Sequence, residues 1–326
     1  MKYVSFGHTG IRVSPVCLGT MTFGKEADEP TSRVLMDRAF DAGINFFDTA
    51  NIYNKGLTEE IVGRWLPARR DAIVLASKVH FPTGAGPNER GSSRRHILME
   101  VDKSLQRLQT GWLDILYLHH WDPDTPLEET LAALTTLVDA GKVHYCGVSN
   151  FSAWQAMKAI AASRAGGWAP ITCIQPMYNL VKRQAEVEIL PMAVSERLAV
   201  CPYNPLAAGL LTGKYRRGGT GRLDENSMYK DRYADPAYAE SASRFVDYAG
   251  ERGWPPAALA VAWVMTHPAV TSAIIGARNL EQLDETLGCL DISLDPVQRA
   301  EISALSIEPP PATDRTEERQ VSKAAP

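Results

Sequence analysis

From Val16 onward the chain alternates two hydrophobic rhythms. Short, continuously apolar runs of strand length recur at Val16-Cys17-Leu18, Ile44-Asn45-Phe46-Phe47, Ile73-Val74-Leu75-Ala76 and Leu113 to Leu118. They continue at Tyr145 to Val148, Ile171 to Ile174, Leu198 to Cys201 and Ala273-Ile274-Ile275. Between them lie stretches of helical period. Thr31 to Ala42 sets Val34, Leu35, Arg38 and Ala39 on one face, and Ile97 to Leu108 repeats this with Ile97, Val101, Leu105 and Leu108. Gly43 and Gly141 stand where helix-terminating glycines belong. Runs that are apolar throughout suit parallel strands buried on both faces. Eight strand–helix units in one chain predict a (β/α)8 TIM barrel. A doubly wound sheet alternates too, but it usually carries a GxGxxG turn after its first strand, and this sequence has none. Before the barrel, Val4 and Phe6 precede His8-Thr9-Gly10, and Ile11 and Val13 follow it, which predicts a hairpin within residues 2–14.

Two stretches break the rhythm. Residues 214–238 form a long polar insertion containing Gly, Arg and Tyr after the seventh strand, and loops of that length are usually functional or mobile. From Glu308 a Pro309-Pro310-Pro311 run and a charged segment predict a disordered or surface-draped tail over 308–326. A length of 326 residues admits one domain or two; the barrel reading assigns residues 1–307 to one. The balance of 34 Lys+Arg against 38 Asp+Glu, without a basic stripe, argues against nucleic-acid binding. No apolar run is long enough for a transmembrane helix, so no membrane partner is expected. Cys17, Cys146, Cys173, Cys201 and Cys289 form no CxxC pair, and their odd number, with no signal peptide apparent, predicts reduced thiols in the cytoplasm.

In a barrel, function gathers at the C-terminal ends of the strands. Those ends read Gly19-Thr20, Asp48, Lys78, His119, Ser149-Asn150, Gln175, Tyr203 and Gly276. Tyr53 lies five residues beyond Asp48 on the same loop. Loop starts are commonly polar, and singly Asp48 reads as a turn cap, Lys78 as a snorkelling lysine and His119 as a core histidine. Together they form a coherent site. A tyrosine hydroxyl is a poor acid near neutrality unless positive charge stabilises its phenolate, and Lys78 is suited to supply that charge. Asp48 is suited to keep a buried Lys78 in place and protonated, and His119 to orient a carbonyl by hydrogen bond.

The chain resembles the aldo-keto reductase superfamily over residues 1–307. The resemblance is carried by Phe47-Asp48-Thr49-Ala50-Asn51-Ile52-Tyr53, Ala76-Ser77-Lys78, Leu113 to His119 and Gly147-Val148-Ser149-Asn150-Phe151. It continues through Gln175-Pro176-Met177-Tyr178-Asn179, Tyr203-Asn204-Pro205-Leu206 and Ile275-Gly276-Ala277-Arg278. Leu210-Leu211-Thr212-Gly213-Lys214-Tyr215 is similar to the bacterial and potassium-channel β-subunit branch. The resemblance implies a barrel that binds an extended nicotinamide dinucleotide and reduces aldehydes or ketones reversibly. It implies Tyr53 as general acid and base, tuned by Lys78 and Asp48, with His119 orienting the carbonyl. Ser149, Asn150 and Gln175 are implied to hold the carboxamide and Tyr203 to stack on the ring. Gly19, Thr20, Met21 and Asp48 join the implied cofactor set, as do Asn204, Leu206, Gly209, Leu211 and Lys214. At the adenosine end Gly276, Arg278, Gln282 and Glu285 match, and Arg278's planar donor fork suits a 2′-phosphate, which favours NADPH over NADH. Thr286 stands where the family more often has Asn.

Substrate choice is expected to rest on Met21, Phe23, Tyr53, His80 and Phe81, on His119, His120 and Trp121, and on the 214–238 insertion. Met21 and His80 occupy positions where many relatives carry tryptophan. The adjacent His119 and His120 lack the further ligands that a metal site needs, so no metal is expected. Gly209 to Tyr215 is not a P-loop, since its glycines are too close and a tyrosine replaces Ser/Thr. The partner expected is a small carbonyl or alcohol, with the oligomeric state left open. The competing expectation is a nucleotide-binding, redox-sensing regulatory subunit with slow turnover.

Overall fold

Eight parallel strands run in the order β10-β3-β4-β5-β6-β7-β8-β9 in a computed structural model that describes residues 1–315 and 317. They are β3 (Val16–Gly19), β4 (Phe46–Asp48), β5 (Val74–Val79), β6 (Leu113–Leu118), β7 (Val143–Ser149), β8 (Ile171–Gln175), β9 (Ala199–Val200) and β10 (Ala273–Ile275). The sheet closes on itself: the Ile274 N–H donates to Pro202 O at 2.9 Å and the Thr271 N–H to Val200 O at 2.9 Å. Closure leaves no open edge, which is the advantage of a barrel over a flat sheet. The expected (β/α)8 barrel is present. The second strand starts later than its apolar run suggests, because the Ile44 N–H is spent on Ala39 O at the end of the first helix.

The chain divides into two compact units. The first comprises Met1–Pro176, Arg197–Tyr203 and Thr271–Glu285, and so holds every barrel strand. Its interior is built from inward-facing residues two apart along each strand, among them Phe46, Ala76, Ile115, Tyr117, Cys173 and Ala199. The predicted hairpin is β1 (Val4–Ser5) against β2 (Arg12–Val13), and its Phe6 and Val13 join that core. Gly7 lets the hairpin loop reach the barrel: it has φ +57°, and a Cβ there would sit 2.6 Å from Ala199 N.

The first unit's helices are α1 (Glu29–Asp41), α2 (Leu57–Trp65), α3 (Arg94–Leu108), α4 (Leu127–Asp139) and α5 (Ala153–Gly166), and α11 (Leu280–Leu287) follows β10. Their ends obey capping chemistry. Asp28 accepts the Thr31 N–H ahead of α1, and Ser152 forms a capping box with Gln155 ahead of α5. Gly43 and Gly141, both left-handed, follow α1 and α4 as expected. The α2–α3 approach is set by Gly63, where a Cβ would lie 2.1 Å from Arg107 O.

The second unit comprises Met177–Glu196, Asn204–Val270 and the residues from Thr286 on. It contains α6 (Ile189–Ser195), α7 (Arg222–Glu225), α8 (Ser227–Arg232), α9 (Pro236–Glu251), α10 (Pro256–Met265) and α12 (Pro296–Ser303). Tyr178 and Trp263 are fully buried in it, with ring centroids 5.1 Å apart. The 214–238 insertion is largely ordered into α7, α8 and the start of α9. Of the tail expected from Glu308, residues 316 and 318–326 lie outside the described residues.

Candidate active site

The barrel's register stacks the candidate residues. Asp48 pairs with Ala76 on β5, so Lys78 stands two residues higher on the same inward face. Lys78 pairs with Tyr117 on β6, which puts His119 two higher again. Strand period alone therefore carries three polar groups up the inner wall. Lys78, only 1% exposed, donates from Nζ to Asp48 Oδ1, to Thr49 O at 2.8 Å and to Tyr53 OH at 3.2 Å. The Gln175 Nε2 donates to the second Asp48 oxygen at 2.8 Å. Burial pulls the Lys78 pKa down, but Asp48 and Tyr53 more than reverse this, and the ammonium is retained.

Tyr53 follows β4 on a loop hung from the neighbouring strand. The Thr49 N–H donates to Ala76 O, and the Asn51 N–H to Lys78 O at 3.3 Å. Directly after the tyrosine come three left-handed residues, Asn54 (φ 45°), Lys55 (φ 56°) and Gly56 (φ 93°). Such backbone costs energy at the two non-glycine positions; here the Asn54 side chain is bonded to Gly24 O at 2.5 Å.

His119 is buried, with its ring centroid 6.0 Å from that of Tyr53 and 4.8 Å from that of Phe81. Burial first, and then the Lys78 charge with His80 and His120, hold its pKa well below the usual imidazole range. The ring is neutral at physiological pH and has one N–H to give.

Beside these four, Ser149 Oγ donates to Gln175 O at 3.0 Å, and Asn150, left-handed at φ 57°, donates to His119 O at 2.9 Å. The Tyr203 hydroxyl donates to Asn150 Oδ1 at 2.7 Å. One hydroxyl, two carboxamides and an aromatic ring make a neutral donor and acceptor set, which fits a nicotinamide carboxamide and its ring. Gly19 and Gly276 add a bare backbone cradle: a Cβ on Gly276 would meet only Gly19 O, at 3.5 Å, while one on Gly19 would clash with Ile274 at 2.7 Å. Further along, the Arg278 N–H donates to Gln282 Oε1 at 3.1 Å, and its guanidinium stands 4.0 Å from Glu26. Asn204, Leu206, Gly209, Leu211 and Lys214 belong to the second unit, on and around a turn in which Ala207, Ala208 and Gly209 are left-handed. There Asn204 Oδ1 accepts the Ala208 N–H at 2.8 Å.

Of the expected pocket residues, His80, Phe81, His119 and His120 form one ring cluster, the His80 and His120 rings stacked at 5.6 Å. His80 Nδ1 lies 3.2 Å from Ser92 Oγ, and burial keeps its pKa low. Trp121 packs on Phe151 and on Trp154. Phe23, by contrast, is fully buried. Sequence reasoning missed two buried carboxylates behind the site. Glu59 accepts from Ser77 Oγ at 2.6 Å and pairs with Arg107 at 2.7 Å. Glu100, 1% exposed, accepts from Asn51 Nδ2 at 3.0 Å and from Lys103 at 2.8 Å. The signal for Glu100 was its place three residues after Ile97, on the apolar face of α3.

Asp48, Tyr53, Lys78 and His119 thus gather at the strand ends of a closed parallel barrel. The Aldo/keto reductase family model matches residues 15–307, and the chain belongs to that family. It is 42% identical to an uncharacterized oxidoreductase, YrpG, of Bacillus subtilis, over 90% of this chain and 93% of that one. It is 38% identical to a probable voltage-gated potassium channel subunit beta of Oryza sativa, over 90% and 92%. A norsolorinic acid reductase A of Aspergillus parasiticus is 35% identical over 90% of this chain and 78% of its own. No helix among the described residues is long and apolar enough to cross a membrane.

Proposed function

We propose that this protein is a cytoplasmic, NADPH-dependent reductase of aldehydes or ketones that also runs as an alcohol dehydrogenase. One observation carries the reading: a buried ammonium, Lys78, bonded at once to Asp48 and to the Tyr53 hydroxyl beside a neutral His119. In reduction Tyr53 gives its hydroxyl proton to the carbonyl oxygen, and Lys78 stabilises the phenolate left behind. Asp48 keeps Lys78 charged and in place. His119 directs its single N–H at the same oxygen without adding formal charge. A nicotinamide dinucleotide held here would supply the hydride that the carbonyl carbon needs. Ser149, Asn150 and Gln175 would hold its carboxamide, Tyr203 would pack against its ring, and Arg278 with Gln282, Glu285 and Gly276 would hold its adenosine end. His80, Phe81, His120 and Trp121 select the substrate. Residues 1–307 act as one catalytic domain.

The test is Tyr53→Phe assayed at the nicotinamide absorbance with NADPH and with NADH. The carbonyl panel should span benzaldehyde, pyridoxal, glyceraldehyde and a keto-steroid. Loss of the general acid should lower the rate by about 100-fold or more with cofactor still bound. Undiminished turnover overturns the reading. The likeness to channel β subunits supports a second reading, a cofactor-holding regulatory subunit. A stable tetramer that binds NADPH and reduces nothing in the panel favours it; fast turnover excludes it.

A further inference from the structure

We infer that Glu100 is a positioning residue for Tyr53, acting through Asn51; this rests on Tyr53 being the proton donor. Asn51 lies between Asp48 and Tyr53 on the catalytic loop. Its main-chain N–H hangs on Lys78 O, so its backbone is tied to the strand that carries the ammonium. Its side chain donates to Glu100 Oε2 at 3.0 Å. Both residues are essentially sealed from solvent, at 2% and 1% exposure. Among the described residues the buried Asn51 Oδ1 has no hydrogen-bond partner, so the bond to Glu100 is what fixes the direction of this side chain. The carboxylate is itself held from a further side by Lys103 at 2.8 Å.

A buried carboxylate is a costly way to fasten a helix to a barrel, since an apolar pair would do so more cheaply. What it provides is direction. A charged acceptor fixed on α3 sets the rotamer of Asn51, and Asn51 sets the backbone two residues ahead of the tyrosine. An error of about 1 Å at a reacting hydroxyl is enough to lose a large factor in rate.

The experiment reverses the bond. Asn51→Asp sets two carboxylates against each other, whereas Asn51→Asp with Glu100→Gln restores one donor and one acceptor across the same gap. The full-length variants are assayed with the fastest carbonyl of the panel above, alongside NADPH binding and melting temperature. Asn51→Asp is expected to lose about tenfold or more in kcat, with the carbonyl KM and the NADPH dissociation constant within about threefold. The reversed pair is expected to regain kcat to within about threefold of the parent. Unchanged kcat in Asn51→Asp overturns the inference, as does a reversed pair that recovers its melting temperature but not its kcat. Should Asn51→Asp fail to fold, Asn51→Ala makes the same test without a new buried charge, and parental kcat in it is equally fatal. Tyr53→Phe is run beside them. If it keeps full activity, the catalytic reading falls and this inference with it. If it alone loses activity, only the role of Glu100 is overturned.

Discussion

Replacing Lys78 with methionine removes three hydrogen bonds at once, to Asp48, Thr49 O and Tyr53. The Asp48 carboxylate, 2% exposed, then keeps among the described residues the bond from Gln175 Nε2 alone and carries an uncompensated charge. Breaking a buried pair from one side costs about 3–5 kcal/mol, a large share of the roughly 5–15 kcal/mol that stabilises a typical protein. Urea unfolding at pH 7 should register that loss. Adding Asp48→Asn removes the stranded charge, and its amide oxygen still accepts from Gln175, so the double variant should recover at least about 2 kcal/mol. Turnover should not recover, since the ammonium beside Tyr53 is gone in both variants. Stability and rate then part company, as expected if one lysine serves both. A Lys78→Met protein within about 1 kcal/mol of the parent would refute the reasoning. So would a double variant no more stable than Lys78→Met alone.

Gly63→Ala should destabilise by about 1–3 kcal/mol or more despite alanine's better helix propensity, because the new methyl meets the Arg107 and Leu108 backbone; a raised melting temperature would count against it. His267, whose pKa burial and then Arg299 hold at about 4, accepts the Ala269 N–H through Nδ1 at 3.1 Å. The unfolded chain binds its proton near pH 6.5 and the folded one only near 4, so stability is lost as pH falls through that window. His267→Gln should therefore lose less melting temperature than the parent between pH 7 and pH 4. Arg278→Ala should raise the NADPH dissociation constant about tenfold or more and leave NADH within about threefold, read by fluorescence titration. Equal losses for both cofactors would remove Arg278 from 2′-phosphate recognition.

The barrel was legible because apolar strand runs and cap glycines are local signals. Leu113 to Leu118 is a strand from end to end, and Gly43 and Gly141 sit just past their helices. Asp48, Lys78 and His119 were legible for the same reason, since a strand end can be read from the strand. What stayed hidden depends on tertiary partners. The left-handed Asn54 and Lys55 have no sequence signature, because their strain is held by a bond to Gly24 O that only the fold provides. In the 214–238 insertion, α7 and α8 have four and six residues, too few to display a helical period. Cys201 lies beyond the short β9, yet its N–H still bonds Ile174 O, so backbone geometry rather than composition ended that strand.

The closure of the sheet sets a timetable for folding. β3 pairs with β4 on one side, but its other side waits for β10, with Val16, Cys17 and Leu18 meeting Ala273, Ile274 and Ile275. During synthesis nearly the whole chain must leave the ribosome before that seam can form. Contacts so distant in sequence form slowly, and an unpaired apolar strand attracts strands of other molecules meanwhile. A fragment ending short of Ala273 would retain Asp48, Tyr53, Lys78 and His119 and still expose that seam, so truncation should yield aggregates rather than a smaller folded enzyme.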